Sequence, residues 1–358
     1  MADAPDRAAI TAALLAWYRA ERRDLPWRQT TDPYRIWLSE ILLQQTRVAS
    51  VIPYYRRLTE RYPTIEALAT AELDELLALW QGLGYYARAR NLLRAAQVVC
   101  LKYSGQLPAE REALLSLPGI GEYTADAILS IAYGQPVAAI DGNVRRVLAR
   151  LFDLPLDTRS PEAGRWFAET AHALLPPDAA GDYNQTMMDL GAMVCTPRHP
   201  ACAACPLDAQ CLALARGTIA ERPVRQPRQP VAVHVFVAAY SEQDGRLLLV
   251  RRPPTGLLGG LWELPNWPVP PGEAPAGALE SALAIQAPGA QVGGELALVR
   301  HGYTHFSVRM HVLRTELPGD SGAFDPAPMW DTASWLAREE LGHYGLTGAT
   351  VKALGHGS

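Results

Sequence analysis

Lysine is nearly absent from this chain. Of its 33 Lys and Arg residues only Lys102 and Lys352 are lysines. Chemistry that needs a primary amine therefore has two places to find one. No run of about 18 apolar residues occurs, so no membrane-spanning helix is expected. The opening MADAPDRAAI has no apolar core segment, so no export signal is expected either. Excess positive charge is missing too: the net charge is −4. Residues 1–230 hold 25 basic and 25 acidic residues, and the remainder holds 8 and 12. A nucleic-acid partner must then be argued from local motifs, not from bulk charge. Cysteine is scarce and uneven. Cys100 stands alone, and Cys195, Cys202, Cys205 and Cys211 fall within seventeen residues. That distribution argues against a disulfide framework and for a metal site in a reducing cytoplasm.

What is present suits a chain of two or three domains, since 49% of its 358 residues are hydrophobic. Residues 1 to about 225 read as nearly all helix. Apolar residues recur at three and four in AAITAALLAWYRAERR, DPYRIWLSEILLQQTRVAS and TIEALATAELDELLALW. Asp32–Pro33, Thr64 and Ser160–Pro161 are helix-start signals. ERPVRQPRQP, residues 221–230, carries three prolines and no apolar period, and reads as a linker. After it the period changes to two. VAVHVFVAAY, the turn SEQDG and RLLLVRR predict a hairpin. Phe306, Val308, Met310 and Val312 alternate with Ser307, Arg309 and His311, which predicts a half-buried strand. TASWLAREEL predicts a short helix. The C-terminal part is thus a small α+β domain.

Three local patterns carry chemistry. In SLPGIGEYTADAILSIA, Gly119 and Gly121 flank Ile120 just before a helix start. Glycines allow a close backbone approach, and the N–H groups of the next helix can hold a phosphate oxygen. A bare G-x-G is equally an ordinary turn, but the longer L-P-G-I-G-x-x-T-A string resembles the helix-hairpin-helix of DNA base-excision glycosylases. Two carboxylates form the second pattern. Asp141 in AAIDGNVRRVLAR reads as a helix N-cap, and the helix end favours its ionised form. Glu40 lies mid-helix among Ile36, Trp37, Ile41, Leu42 and Leu43, with scarcely any polar stripe to sit on. It is either paired with an arginine or a desolvated carboxyl with raised pKa, able to donate a proton. Gln44 shares nearly the same helix face; Gln45 projects to the side. One ionised and one protonatable carboxyl are what N-glycoside hydrolysis requires. The third pattern is C-x6-C-x2-C-x5-C. Four thiolates at this spacing bind zinc or a cubane iron–sulfur cluster, and spacing alone leaves both open.

LPWR, SEILLQQTRV, QGLGYYARARNL, LPGIGEYTADAILS, IDGNVRRVLAR and MMDLGAMVCTPRHPACAACPLDAQC together resemble the adenine DNA glycosylase family, from about residue 8 to about 345. The resemblance implies an all-α helix-hairpin-helix glycosylase core with a [4Fe–4S] cluster domain, followed by a C-terminal α+β domain of Nudix-like fold. It divides the chain into a cluster domain (1–24 and 138–220), a six-helix barrel domain with the hairpin (25–137), a linker (221–230) and a Nudix-like lesion-recognition domain (231–358). It implies a monomer acting in the cytoplasm on double-stranded DNA with A·8-oxoguanine or A·G mispairs. Glu40 matches the family's acid and Asp141 its cation stabiliser, with Tyr123 and Asn143 assisting. Arg28 and Gln45 match contacts to the flipped adenine or its strand, and Tyr85 matches an aromatic wedged beside the lesion. Cys195, Cys202, Cys205 and Cys211 match the ligands of the [4Fe–4S] loop, which would present Arg198 and His199 to phosphate. Tyr303-Thr304-His305 stands where the family's lesion-reading loop usually has Phe-Ser-His. GLLGGLWELP fits a Nudix-type fold, but GEAPAGALESALAIQAPGA lacks the R-E-x-x-E-E metal-binding helix, so no pyrophosphatase activity is expected.

Two other readings compete. An endonuclease-three-like glycosylase and lyase needs a lysine near the hairpin to form a Schiff base. Tyr123 stands there instead. A non-catalytic iron–sulfur protein that binds damaged DNA would have no use for the Glu40 and Asp141 pair.

Overall fold

The computed structural model describes residues 6–225, 231–303, 306–319 and 324–355. The chain forms two compact units. One takes the residues up to Ala69 and those from Arg94 to the linker; the other takes Thr70–Leu93 and the C-terminal residues.

The first unit is helical: α1 (Arg7–Glu21), α2 (Pro33–Leu43), α3 (Val48–Arg61) and α4 (Ile65–Ala69). The chain leaves it for α5 (Leu73–Leu79), and the cut between units falls inside α6 (Ala87–Tyr103). It continues with α7 (Arg111–Leu115), α8 (Glu122–Ile131), α9 (Gly142–Leu151), α10 (Pro161–Leu174), α11 (Ala180–Asp189) and α12 (Leu212–Ala215). The expected starts are in place. Asp32 accepts from the Tyr34 N–H at 2.8 Å, Thr64 from Ala67 at 3.2 Å and Ser160 from Ala163 at 3.1 Å. One core joins α1, α9, α10 and α11 through Ile10, Leu14, Leu148, Phe167, Leu174, Tyr183 and Met187. Each such side chain contributes about 1.5–3 kcal/mol on burial. The helix α2 is largely apolar and buries Trp37, Leu38, Ile41 and Leu42.

Beyond Asp189 the last turn of α11 widens into a π turn, Leu190–Val194, which delivers the chain to Cys195. Gly191 in that turn lies hard against α9. A Cβ there would stand 2.6 Å from the Asn143 Cβ, closer than two carbons approach. The linker begins tied down: Arg222 pairs with Asp153 at 2.8 Å, and Val224 bridges Asp157.

The second unit contains β1 (Ala232–Tyr240), β2 (Glu242–Gln243), β3 (Arg246–Arg251), β4 (Trp262–Glu263), β5 (Asn266–Pro268), α13 (Pro275–Gln286), β6 (Gln291–Gly302), β7 (Phe306–Glu316), β8 (Thr332–Ala337) and α14 (Gly348–Gly355). One sheet has the order β5-β1-β7-β6. In β1, Val237 and Ala239 pack on the α13 side while Ala238 and Tyr240 pack on the α14 side. Val308, Met310 and Val312 of β7 are buried, as their alternation predicts.

Two expectations are corrected. β1 does not pair with β3 in a hairpin; it runs parallel to β7, and only the short β2 turns back onto β3. A strand buried on both faces belongs in the middle of a sheet, which a local turn cannot reveal. TASWLA is not helical: it is β8, laid antiparallel along β3 from Thr332 to Ala337, and only Arg338–His343 coils, as a 3-10 segment. The stretch Thr70–Leu93, read from sequence as part of the helical body, packs with the C-terminal residues. Leu77 lies against Gly345, Arg90 donates to the Gly259 carbonyl at 2.7 Å, and Asp74 pairs with Arg251 at 3.3 Å.

Candidate active site

Because α2 is drawn into the core, Glu40 goes with it and is only 4% exposed. Burial pushes its carboxyl up to about 7. The Tyr123 hydroxyl, donating to Glu40 Oε2 at 2.8 Å, pulls it back; the Asp141 charge adds to the rise, and Arg28 opposes it. Tyr123, near the start of α8, is held as a neutral phenol, since burial and then the two carboxylates raise it well above its ordinary value. A carboxyl raised this far can still carry a proton near neutral pH. Glu40 and Tyr123 line a cavity of about 640 Å3 together with Arg28, Gln44, Gln45, Asp141 and Asn143.

Asp141 caps α9. Its Oδ1 accepts from the N–H groups of Asn143 at 2.8 Å and Val144 at 2.7 Å, and Oδ2 accepts from Asn143 Nδ2 at 2.7 Å. Burial lifts the Asp141 carboxyl above its ordinary value, while these bonds and Arg146 hold its charge. Both oxygens act as acceptors, the pattern of a carboxylate at the positive end of a helix. Asn143 Oδ1 accepts in turn from Arg146 Nη2 at 2.9 Å. Arg146 also donates to the carbonyls of Gly191 at 2.6 Å and Cys195 at 2.8 Å. A continuous hydrogen-bonded chain thus runs from Asp141 to the first cysteine.

Arg28 is engaged at one end of the cavity. It forms a two-pronged ion pair with Asp189, with Nη2 to Oδ1 at 2.7 Å and a second bond from Nη1 to Oδ2. Arg23 Nε reaches the same Oδ1 at 2.8 Å, and Asp189 is fully buried. Gln44 Nε2 donates to Thr124 Oγ1 at 3.3 Å, while Gln45 holds a left-handed backbone with φ of 58°. In the hairpin Gly119 has φ of 82°, a turn that favours glycine, and Gly121 caps α8 with no side-chain bond. In the second unit Tyr85 is 43% exposed. Tyr303 is half-buried between the rings of His301 and Phe306, at 4.6 and 4.8 Å. Thr304 and His305 lie outside the described residues.

Cys195, Cys202, Cys205 and Cys211 line one small cleft with Val194, Leu214 and Ile219. Burial pushes the Cys205 thiol up to about 11, with its three neighbours adding to the rise. A group bound there must bring positive charge to draw four thiolates together. Among the described residues no three His, Cys, Asp or Glu side chains converge as one metal ion requires. Arg150 braces the loop, donating to the Thr196 carbonyl at 2.7 Å, the Pro197 carbonyl at 3.1 Å and Cys195 Sγ at 3.4 Å.

Sequence reasoning missed Asp189, Arg23 and Arg146. The one local signal was Asp189 standing alone in the apolar run MMDLGAM. Arg146 hides among the other arginines of VRRVLAR.

Comparison with known proteins agrees with this architecture. Residues 38–164 match the HhH-GPD superfamily base excision DNA repair proteins, and residues 235–356 match the NUDIX domain. The adenine DNA glycosylase of Homo sapiens is 35% identical over 95% of this chain and 72% of its own length. That of Rattus norvegicus is 34% identical over 98% of this chain and 78% of its own. Among solved structures, a thermostable thymine-DNA glycosylase aligns with a TM-score of 0.55 at 32% identity, covering 59% of this chain and 97% of that one. A non-covalent endonuclease III–DNA complex aligns with a TM-score of 0.51 at 25% identity, covering 59% and 98%.

Proposed function

The chain belongs to the adenine DNA glycosylase family, and on that premise we propose that it removes adenine from A·8-oxoguanine and A·G mispairs in base excision repair. The observation that carries the reading is the cavity that joins a buried, protonatable Glu40 to the capped, charge-holding Asp141. Glu40 donates its proton to a ring nitrogen of the flipped adenine. The C1′–N9 bond breaks with its electron pair going to the base, and positive charge grows on the sugar. Asp141 stabilises that cation, and Asn143 and Tyr123 orient the two carboxyls. Water adds to C1′ and returns a proton to Glu40. Tyr123 offers no amine, so the product is an intact abasic site.

The hairpin holds a phosphate through backbone N–H groups at the start of α8, which Gly121 leaves uncapped by any side chain. Arg28, Gln44 and Gln45 shape the base pocket, and Tyr85 wedges beside the lesion. Adenine is an undamaged base, so the opposite base must be read by a second element. Tyr303-Thr304-His305 is that reader. Cys195, Cys202, Cys205 and Cys211 hold a [4Fe–4S] cluster, a reading supported by the one cleft that all four line. Such a cluster ties the loop from Cys195 to Cys211 together and brings Arg198 and His199 to the DNA backbone. The enzyme acts as a monomer in the cytoplasm; among the described residues no helix is long and apolar enough to cross a membrane.

The test is base release from duplexes carrying A·8-oxoguanine, A·G and T·G, with strand breakage read after added alkali. Release of adenine from the first two, not of thymine from the third, and its loss in Glu40→Gln are expected. Thymine release, or full turnover by Glu40→Gln, would overturn the reading. His305→Ala should narrow the preference for A·8-oxoguanine over A·G.

A further inference from the structure

Between α5 and α6 the backbone is forced into an unusual course. Gly82, Gly84 and Tyr85 have φ of 90°, 75° and 51°. Two of the three are glycines. Tyr85 is not, and a side chain in this region costs free energy that the surroundings must supply. One source of that free energy stands in the backbone beside it.

It lies in the Gly84 carbonyl, which accepts two hydrogen bonds. Trp80 Nε1 donates at 3.1 Å and Arg88 Nη2 at 3.0 Å. With both lone pairs engaged, the planar Gly84–Tyr85 peptide cannot rotate, and its orientation sets φ at Tyr85. The same Arg88 nitrogen reaches the Leu83 carbonyl at 3.4 Å. The guanidinium stands 5.4 Å from the centroids of both the Trp80 and Tyr85 rings. Its backbone N–H donates to the Tyr85 carbonyl at 2.9 Å and begins α6. Trp80 and Arg88 are themselves buried, at 0% and 8% exposed. Burial pulls the Arg88 guanidinium down to about 10, so it is still a cation at neutral pH. A buried cation and an indole are thus committed to one short loop, whose outward product is an exposed aromatic ring.

We infer that Arg88, with Trp80, is a positioning residue that locks the Gly84–Tyr85 peptide and so presents the Tyr85 ring to DNA already in its binding conformation. Free protein that has already ordered this loop does not lose that conformational freedom on binding. The inference rests on the reading of Tyr85 as a DNA-contacting aromatic.

A double-mutant cycle tests it. The affinity of the full chain is measured by fluorescence anisotropy for a duplex with a non-hydrolysable 2′-fluoro-adenosine opposite 8-oxoguanine. Arg88→Met keeps the apolar stem and removes donors and charge; it should weaken binding roughly tenfold, the scale of a lost charged hydrogen bond. In a Tyr85→Ala background the same change should cost less than about twofold, because Arg88 acts through the ring. Trp80→Phe, which removes one donor, should weaken binding by about threefold. The loss should fall on affinity and not on the excision rate at saturating protein. A 2-aminopurine beside the mispair should report reduced unstacking in Arg88→Met, with partial rescue in Arg88→Lys. Unaltered affinity in Tyr85→Ala would sink the reading of Tyr85, and the inference with it. A normal loss in Tyr85→Ala combined with an additive effect of Arg88→Met would sink the positioning inference alone. If thermal melting shows Arg88→Met unfolded, Arg88→Lys and Trp80→Phe carry the same cycle.

Discussion

Replacing Tyr123 by Phe removes one oxygen and, with it, the bond donated to Glu40 Oε2 at 2.8 Å. Burial raises the Glu40 carboxyl and that bond pulls it back, to about 7 with the bond intact. A hydrogen bond to a charged group contributes about 1.5–3 kcal/mol, or roughly one to two pKa units. The cavity admits water, so the lower end applies and the Glu40 value should rise by about one unit. The proton-donating form is the active one in this reading. At pH 6 nearly all of both proteins carries it. At pH 8 it falls to about a tenth in the parent and about a half in Tyr123→Phe. The ratio of mutant to parent single-turnover rate should therefore climb about fivefold between pH 6 and pH 8, whatever the mutant's absolute rate. Rapid-quench adenine release across that range measures it. A flat ratio, or an alkaline limb that moves to lower pH in the mutant, would refute the claim that Tyr123 tunes a protonated Glu40.

Glu40→Gln should abolish adenine release and also change the dependence of stability on pH. Between 4.5 and about 7 the folded chain keeps a proton that the unfolded chain has released, so the parent loses stability as pH rises, by roughly 2–3 kcal/mol at most; thermal melts at pH 5 and pH 8 should show that loss in the parent and not in the mutant. Gly191→Ala drives a methyl group to within 2.6 Å of the Asn143 Cβ and should cost about 1–3 kcal/mol, seen as a melting temperature lower by about 2–4 °C per kcal/mol. The parent should give no covalent complex with DNA on borohydride reduction, whereas Tyr123→Lys places a partly desolvated amine in the cavity and should give some; efficient trapping of the parent would refute the monofunctional reading. The purified protein should be yellow-brown with about four irons per chain; stoichiometric zinc in their place would refute the cluster.

Patterns that need only neighbouring residues were legible in the sequence. The caps at Asp32, Thr64 and Ser160 are local hydrogen bonds, and each stands where its residue type placed it. The unusual Glu40 was visible as a carboxylate without a polar stripe, because burial of one helix face shows in a single helical period. The alternation in β7 was visible for the same reason. Long-range partners were not. Nothing near β1 says that its neighbour is β7, because a parallel pairing is closed by a distant crossover and leaves no turn signal. TASWLA took a strand because β3 supplied a ladder, which outweighs weak helical propensity. Thr70–Leu93 reads as one more helical stretch, yet Arg90 and Leu77 find partners about 170 residues or more further on. The site divides in the same way. Composition and spacing singled out Glu40, Asp141 and four cysteines, since each is chemically conspicuous where it stands. Only the folded chain showed that Arg146 links Asp141 to Cys195 and that Asp189 engages Arg28. Such bonds join residues far apart in sequence, and three-dimensional packing alone decides which donor meets which acceptor.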